Sequence, residues 1–300
     1  MVMHMRKSSK AKKRVKEEPE LAEVLNNIQL MNAGLLELPE PKHIDYAMPC
    51  VHTPYITIGY RVDYDHLQCL LSLFTLHNET MNIWSHLIGF ICTVIAGISI
   101  CMEFQEKELP FYGRMAFATY IVGAAVCLLF SAVYHTFGCI SALHQQWLLV
   151  LDLGGVACLT GGSLFVWIVY GFHCMPSLSL MYSCFAGIIF LTGVVIAFLG
   201  AYNTDAGFYT RVIGFATIAS LGTIPCIHWY FITPEEIQRE LIMGVVGTFS
   251  AYAVGLGFYV TRFPEIWWPS NYFVTHFIPS HMWWHLCVCA AVGILIHQAR

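Results

Sequence analysis

Apolar residues in this chain come in long runs separated by short polar breaks. Seven segments are mainly apolar: about 80–102, 115–138, 147–171, 178–201, 210–231, 241–261 and 280–298. Each is close to the ~20 residues that a bilayer-crossing helix needs. Trp84, Trp147, Tyr170, Trp229, Tyr230, Trp267 and Trp268 gather at segment ends, where amphipathic rings sit at a membrane–water interface. Two weaker helical patterns precede the first run. Leu21, Val24, Leu25, Ile28 and Met31 form one, and Leu67, Leu70, Leu71 and Phe74 form the other. The second is placed to lie in the interface plane. Pro41, Pro49 and Pro54 mark extended chain between them. No internal repeat or low-complexity tract interrupts this order. The pattern predicts an all-α membrane protein with seven transmembrane helices.

Composition sharpens that picture. The chain is 57% hydrophobic and 11% charged, against roughly 25% charged residues in an average soluble protein. Nucleic-acid binding, disorder and a secreted disulfide scaffold all fit poorly. Charge also sets an expected orientation. Seven of the 15 basic residues lie in the first sixteen positions (Arg6, Lys7, Lys10, Lys12, Lys13, Arg14 and Lys16), followed by Glu17, Glu18, Glu20 and Glu23. With no apolar stretch directly behind it, this cluster is not a signal peptide. The run starting near Ile83 should insert as a signal anchor, leaving the basic tail in the cytoplasm. The tail is a topology signal and solvated segment, or it touches anionic lipid at ~1 kcal/mol per charge. Three regions follow: a cytoplasmic tail, partly disordered, over 1–50, a juxtamembrane segment with an amphipathic helix over 51–79, and the seven-helix domain over 80–300.

Seven spans from a cytoplasmic N-terminus put the C-terminus outside, the reverse of a G-protein-coupled receptor. The chain also lacks Asp-Arg-Tyr after the third span, Asn-Pro in the seventh, and a seventh-span lysine for retinal. Most of the 12 cysteines sit inside apolar runs without a CxxC pair. There they act as small hydrophobes, and no disulfide framework is expected.

Ionisable groups inside spans are costly and usually functional. Asp152 is the only Asp, Glu, Lys or Arg well inside any of the seven runs; the histidines there are His86, His135, His228, His281, His285 and His297. On the expected orientation, four spans deliver His86, His135, Asp152 and the His281/His285 pair to one depth near the cytoplasmic face. His228 and His297 fall near the other. His281 and His285 share a helix face at i,i+4, and with a third histidine they form the pattern of a catalytic-type zinc site. A neighbouring carboxylate can orient or deprotonate water whose pKa zinc lowers to ~7. Ser131 shares the face of His135, four residues away. Interhelical hydrogen bonding or interfacial placement would explain the same histidines without a metal.

Three separated blocks carry a resemblance. They are HNETMNIWSHLIGF (77–90), SAVYHTFGC with LDLGG (within 131–155), and PSHMWWH (279–285). IPCIHW (224–229) and RFPE (262–265) agree with them. Residues 55–298 resemble the progestin and adipoQ receptor family, and PYITIGYR (54–61) looks most like its Golgi-associated member-three branch. Leu153 departs from the Tyr or Phe often found after the third-span Asp. The resemblance implies a seven-helix bundle holding a buried Zn2+ on His135, His281 and His285, with Asp152 acting through water. It further implies ceramidase-like amide hydrolysis, in which zinc polarises the amide carbonyl, Asp152 takes and returns the proton, and Ser131 holds the oxyanion or the water. Glu79, Asn82, Trp84, Ser85 and His86 are expected to form a structural hydrogen-bonded cluster, with substrate or partner contact, or His86 as a fourth ligand, as the alternatives.

The expected function is thus a zinc-binding, receptor-like protein linked to lipid signalling, in the Golgi or plasma membrane. The competing reading is a Golgi scaffold or a regulator of lipid homeostasis in which zinc is structural. Membrane lipids, ceramide or a related sphingolipid among them, are the expected small-molecule partners. A cytoplasmic protein would bind the N-terminal region, and no nucleic acid is expected. A transporter is disfavoured by the single intramembrane carboxylate. Asn78-Glu79-Thr80 is a glycosylation sequon by pattern, expected to stay bare on the cytoplasmic side.

Overall fold

The computed structural model describes residues 38–106, 110–201 and 204–298. The basic cluster and the 21–31 pattern lie outside them. Seven helical spans are present, and several start before the apolar run they contain. The first is α2 (Thr80–Glu106), after a short α1 (His66–Leu71). The next three are α3 (Phe111–Phe137), α4 (Ala142–Gly171) and α5 (Pro176–Gly200). Ser141 accepts a hydrogen bond from the His144 amide at the start of α4, satisfying one of the donors that a helix N-terminus leaves free.

The fifth span is two helices, α6 (Asp205–Leu221) and α7 (Thr223–Ile232). Pro225 has no N–H to give the carbonyl four residues back, so the ladder breaks at Gly222. The sixth span is α8 (Glu235–Thr261), and the seventh is a short α9 (Tyr272–Phe277) followed by α10 (Ser280–Gln298).

The lipid-facing surface is apolar. On α2, Ile88, Ile91, Ile95, Ile98 and Met102 point outward at helical spacing. In water such a stripe would drive association; against acyl chains it is the ordinary exterior of a spanning helix. Inside, the main apolar core joins Phe104 of α2, Phe117, Tyr120 and Leu128 of α3, Leu159 and Val166 of α4, and Val288 and Val292 of α10. Small residues let α3 and α4 approach closely. A Cβ on Gly123 would lie 2.6 Å from the Cys158 carbonyl oxygen, and one on Gly155 would lie 2.7 Å from the Cys127 Cα, the kind of backbone contact that small residues permit between membrane helices.

Close packing runs α2–α3–α4–α5–α6 and returns through α2–α10–α8. Among the described residues, α6–α7 and α8 do not form a close pair with each other, so the ring stays open between them. At one end their seam is bridged by Phe208 stacked on Tyr259 at 5.7 Å, with the Arg262 guanidinium near both rings.

Residues 38–78 form a cap on the bundle. Lys42 and Tyr60 pair as an antiparallel bridge, and Ala47, Ile56, Tyr60 and Val62 make a small apolar core. Asp65 and Gln68 form a reciprocal capping box at α1. The amphipathic pattern at 67–74 therefore folds as α1 plus a 3-10 turn (Ser72–Phe74). Leu71 and Cys69 are buried, whereas Leu70 and Phe74 face outward. The stretch read as extended contains 3-10 turns at Ile44–Tyr46 and Pro49–Val51. Asn78 of the sequon is buried, and the buried Thr80 donates its hydroxyl to the Thr75 carbonyl, so both are enclosed in the folded chain.

Candidate metal centre

Two spans bring three histidines together where the cap meets the bundle. His135 lies in the last turn of α3, and His281 and His285 lie in the first two turns of α10. One ligand atom from each lies within 4.8 Å of the other two. The Nε2 atoms of His135 and His281 are 3.2 Å apart. On His135 and His285 the opposite nitrogens are engaged. His135 Nδ1–H donates to Glu79 Oε2 at 2.8 Å, and His285 Nδ1–H donates to the Asn82 carbonyl at 3.0 Å, with Ser85 Oγ 3.1 Å away. Such bonds fix the tautomer and leave Nε2 as the free lone pair, as in metal-bound histidines. The donor set fits a divalent ion that favours imidazole.

Glu79, expected in a hydrogen-bonded cluster with Asn82, Trp84, Ser85 and His86, also reaches a histidine of the triad. Its Oε2 accepts from His135 and, at 2.6 Å, from Asn82 Nδ2. Burial alone would raise its carboxyl, but His135, Asn82 and Arg61 outweigh that and hold it below the usual range. The signal was visible as a carboxylate one residue before a spanning helix; its partner, 56 residues away, was not.

Two further anchors set the histidines. Buried Arg61 donates to the carbonyls of His135 and Thr136 and to Ser72 Oγ, satisfying acceptors at the end of α3. Glu265, also buried, accepts from the Ser280 amide and hydroxyl. A carboxylate at that position suits the positive end of α10 and fixes the turn that carries His281.

Ser131 and Asp152 belong to the same site. Ser131 is buried on α3, and Asp152 lies on the neighbouring α4. Both line one cavity with His86, His135, His281 and His285. That cavity, about 850 Å³, continues into the bundle between α4, α6 and α8, past Phe215, Ala219, Thr248 and Tyr252. His86 is stacked on His285 at 3.6 Å, and neither of its ring nitrogens has a protein partner. It is not one of the three clustered ligands. His228 pairs instead with Tyr182, 2.8 Å away. The five residues expected at one depth, His86, His135, Asp152, His281 and His285, all line this one cavity.

Seven spanning helices around a buried histidine triad and a deep cavity define a polytopic membrane protein with a candidate metal centre. Comparison with known proteins agrees with that class. The haemolysin-III-related family matches residues 74–297. An adiponectin receptor protein of Drosophila melanogaster is 29% identical over 76% of this chain and 51% of its own length. Heptahelical transmembrane protein 1 of Arabidopsis thaliana is 32% identical over 82% of this chain and 75% of its own. Progestin and adipoQ receptor family member 3 of Homo sapiens is 28% identical, covering 78% of this chain and 76% of its own. The chain belongs to the haemolysin-III-related family, alongside the adiponectin and the progestin and adipoQ receptors. It spans about half the length of the fly and nematode relatives that it matches.

Proposed function

We propose that this protein is a zinc-dependent lipid amide hydrolase with a receptor-like role in lipid signalling. The observation that carries this reading is the meeting of His135, His281 and His285 with Ser131 and Asp152 at the head of a cavity that extends between the spans. A ceramide-like substrate suits that space. Its acyl chain would occupy the apolar part between α6 and α8, reached through the seam where those helices lack close packing, and its amide would sit beside the histidines.

His135, His281 and His285 would hold the zinc, which supplies Lewis acidity toward a carbonyl oxygen and toward water. The chain's own groups would do the rest. Asp152 would take a proton onto its carboxylate as the nucleophile forms and return it to the leaving amine nitrogen. The Ser131 hydroxyl would orient that carboxylate or donate to the developing oxyanion. Glu79 would keep the His135 Nδ1–H in place.

The test begins with zinc content per purified chain. About one ion, lost in His135→Ala, His281→Ala and His285→Ala, is expected, followed by ceramide hydrolysis that fails in Asp152→Asn. Wild-type protein that is folded, was never exposed to chelator and holds no zinc would refute the hydrolase. Zinc without turnover, with membrane acyl composition altered on deletion, would instead favour a lipid-homeostasis regulator with a structural ion. A Golgi scaffold reading requires residues 1–75 alone to capture its soluble partner and zinc-site variants to behave normally.

A further inference from the structure

Outside the histidine site, the described residues bring two thiols together from distant parts of the chain. Cys69, in α1, is fully buried, and Cys139, in the turn between α3 and α4, is partly exposed. Their Sγ atoms are 3.5 Å apart, so ~1.5 Å of travel would bring them to the ~2.05 Å of a disulfide. Arg61 frames the pair. Its guanidinium donates to Ser72 Oγ, whose hydroxyl donates in turn to the Cys69 carbonyl, and to the Thr136 carbonyl, which also faces Cys139 Sγ. The same guanidinium holds the His135 carbonyl. The cysteines thus sit on either side of the contact between the cap and the end of α3.

We propose that Cys69 and Cys139 are a thiol–disulfide pair that reacts with small-molecule disulfides and staples the cap to the α3–α4 turn. The two sulfurs have distinct parts. Cys139 is the one with solvent access. Contact with Cys69 and the charge of Arg61, working against burial, draw its thiol down to about 7, while the same contact pushes Cys69 up. Thiolate is the attacking species in exchange.

With glutathione disulfide as oxidant, the Cys139 thiolate attacks one sulfur, the glutathione S–S bond breaks, and one glutathione thiolate leaves and is protonated. Cys69 then loses its proton and attacks the Cys139 sulfur of the mixed disulfide, expelling the second glutathione, which takes up that proton. Two protein thiols are oxidised to one disulfide, and one glutathione disulfide is reduced to two thiols. Dithiothreitol reverses the sequence.

The experiment uses the full chain in detergent, incubated with glutathione disulfide and then alkylated and mapped by mass spectrometry. A Cys69–Cys139 cross-linked peptide is expected as the main product, with both cysteines lost to alkylation and recovered after dithiothreitol. Cys139→Ser should abolish adducts at both positions, and Cys69→Ser should trap glutathione on Cys139. The oxidised wild type should melt at a higher temperature than the reduced protein, and Cys139→Ser should show no rise. If either serine variant fails to fold, the wild-type map alone decides. Full alkylation of both cysteines after oxidation, or a glutathione adduct that persists on Cys139 in wild type, would overturn the pairing. A cross-link with no thermal rise would overturn the staple. None of these outcomes depends on zinc or turnover.

Discussion

Replacing Glu79 by Gln removes one charge and almost no volume, at the point where α2 touches the histidine on α3. In the native structure a single oxygen, Oε2, receives the His135 Nδ1–H at 2.8 Å and the Asn82 Nδ2–H at 2.6 Å. An amide oxygen in that position still accepts both, but without the charge that strengthens the two bonds. Loss of a partner behind a metal-bound histidine typically lowers affinity by roughly 10–100-fold, or about 1.4–2.8 kcal/mol. Glu79→Gln should fall at the lower end of that range. Glu79→Ala, which strands both donors, should fall at the upper end. The assay is zinc competition against a chelator of known affinity on purified protein, with the melting midpoint of the metal-free form as a control for folding. Both variants binding zinc within about threefold of wild type, with unchanged metal-free stability, would refute the orienting role.

Other perturbations give separate expectations. Arg61→Met leaves the His135 and Thr136 carbonyls without their buried donor and should cost about 2–3 kcal/mol, read as a lower melting midpoint; an unchanged midpoint would contradict the role assigned to Arg61. Gly59 has φ +85°, and a Cβ there would lie 2.9 Å from His276 Nε2. Gly59→Ala should therefore loosen the cap by about 1–3 kcal/mol, seen as faster proteolysis or amide exchange over residues 42–78. His77 is held near a pKa of about 2, by burial and then by Arg61, against an ordinary 6.5. It stays neutral in the fold, so its contribution is constant above pH ~6.5 and is lost as pH falls below that, by about 2 kcal/mol at pH 5. His77→Gln should flatten that slope in thermal melts between pH 7.5 and 5. Gly123→Val would drive a side chain into the Cys158 carbonyl and should destabilise the α3–α4 pair by at least about 1–3 kcal/mol, visible as lost monodisperse protein.

Hydropathy located all seven spans because the bilayer imposes one dominant constraint, but it located their cores better than their ends. The helices start at Phe111, Ala142, Asp205 and Glu235, several residues before the apolar runs. Those first turns are polar and are positioned by Pro110, Ser141, Thr204 and Pro234. The break at Gly222 was foreshadowed by Pro225. Spacing and depth grouped His86, His135, Asp152, His281 and His285, since a span fixes how far each residue lies from the membrane surface; the choice of His135, His281 and His285 among them came from the family resemblance. Depth says nothing of rotation about a helix axis, so it could not separate His86 from the three clustered histidines. Nor could it connect Glu79 to His135, Glu265 to Ser280, or Cys69 to Cys139. Those contacts depend on how the cap folds back across the bundle, and no local pattern encodes them.

Among the described residues, the sixth span, α8, has one close helix neighbour, α10, whose backbone in turn lies closest to α2, with side chains of α3 packed beside it. A hairpin attached along a single edge behaves mechanically like a door, with the α2–α10 contact as its hinge. His281 and His285 ride on the leaf, near the hinge line, while His135 stands on the frame. A swing that widened the seam for a bulky guest would therefore also change the spacing within the triad, so entry and the geometry of the centre would share one mechanical coordinate. Lateral pressure in the surrounding lipid would act on that same leaf and, through it, on the histidines.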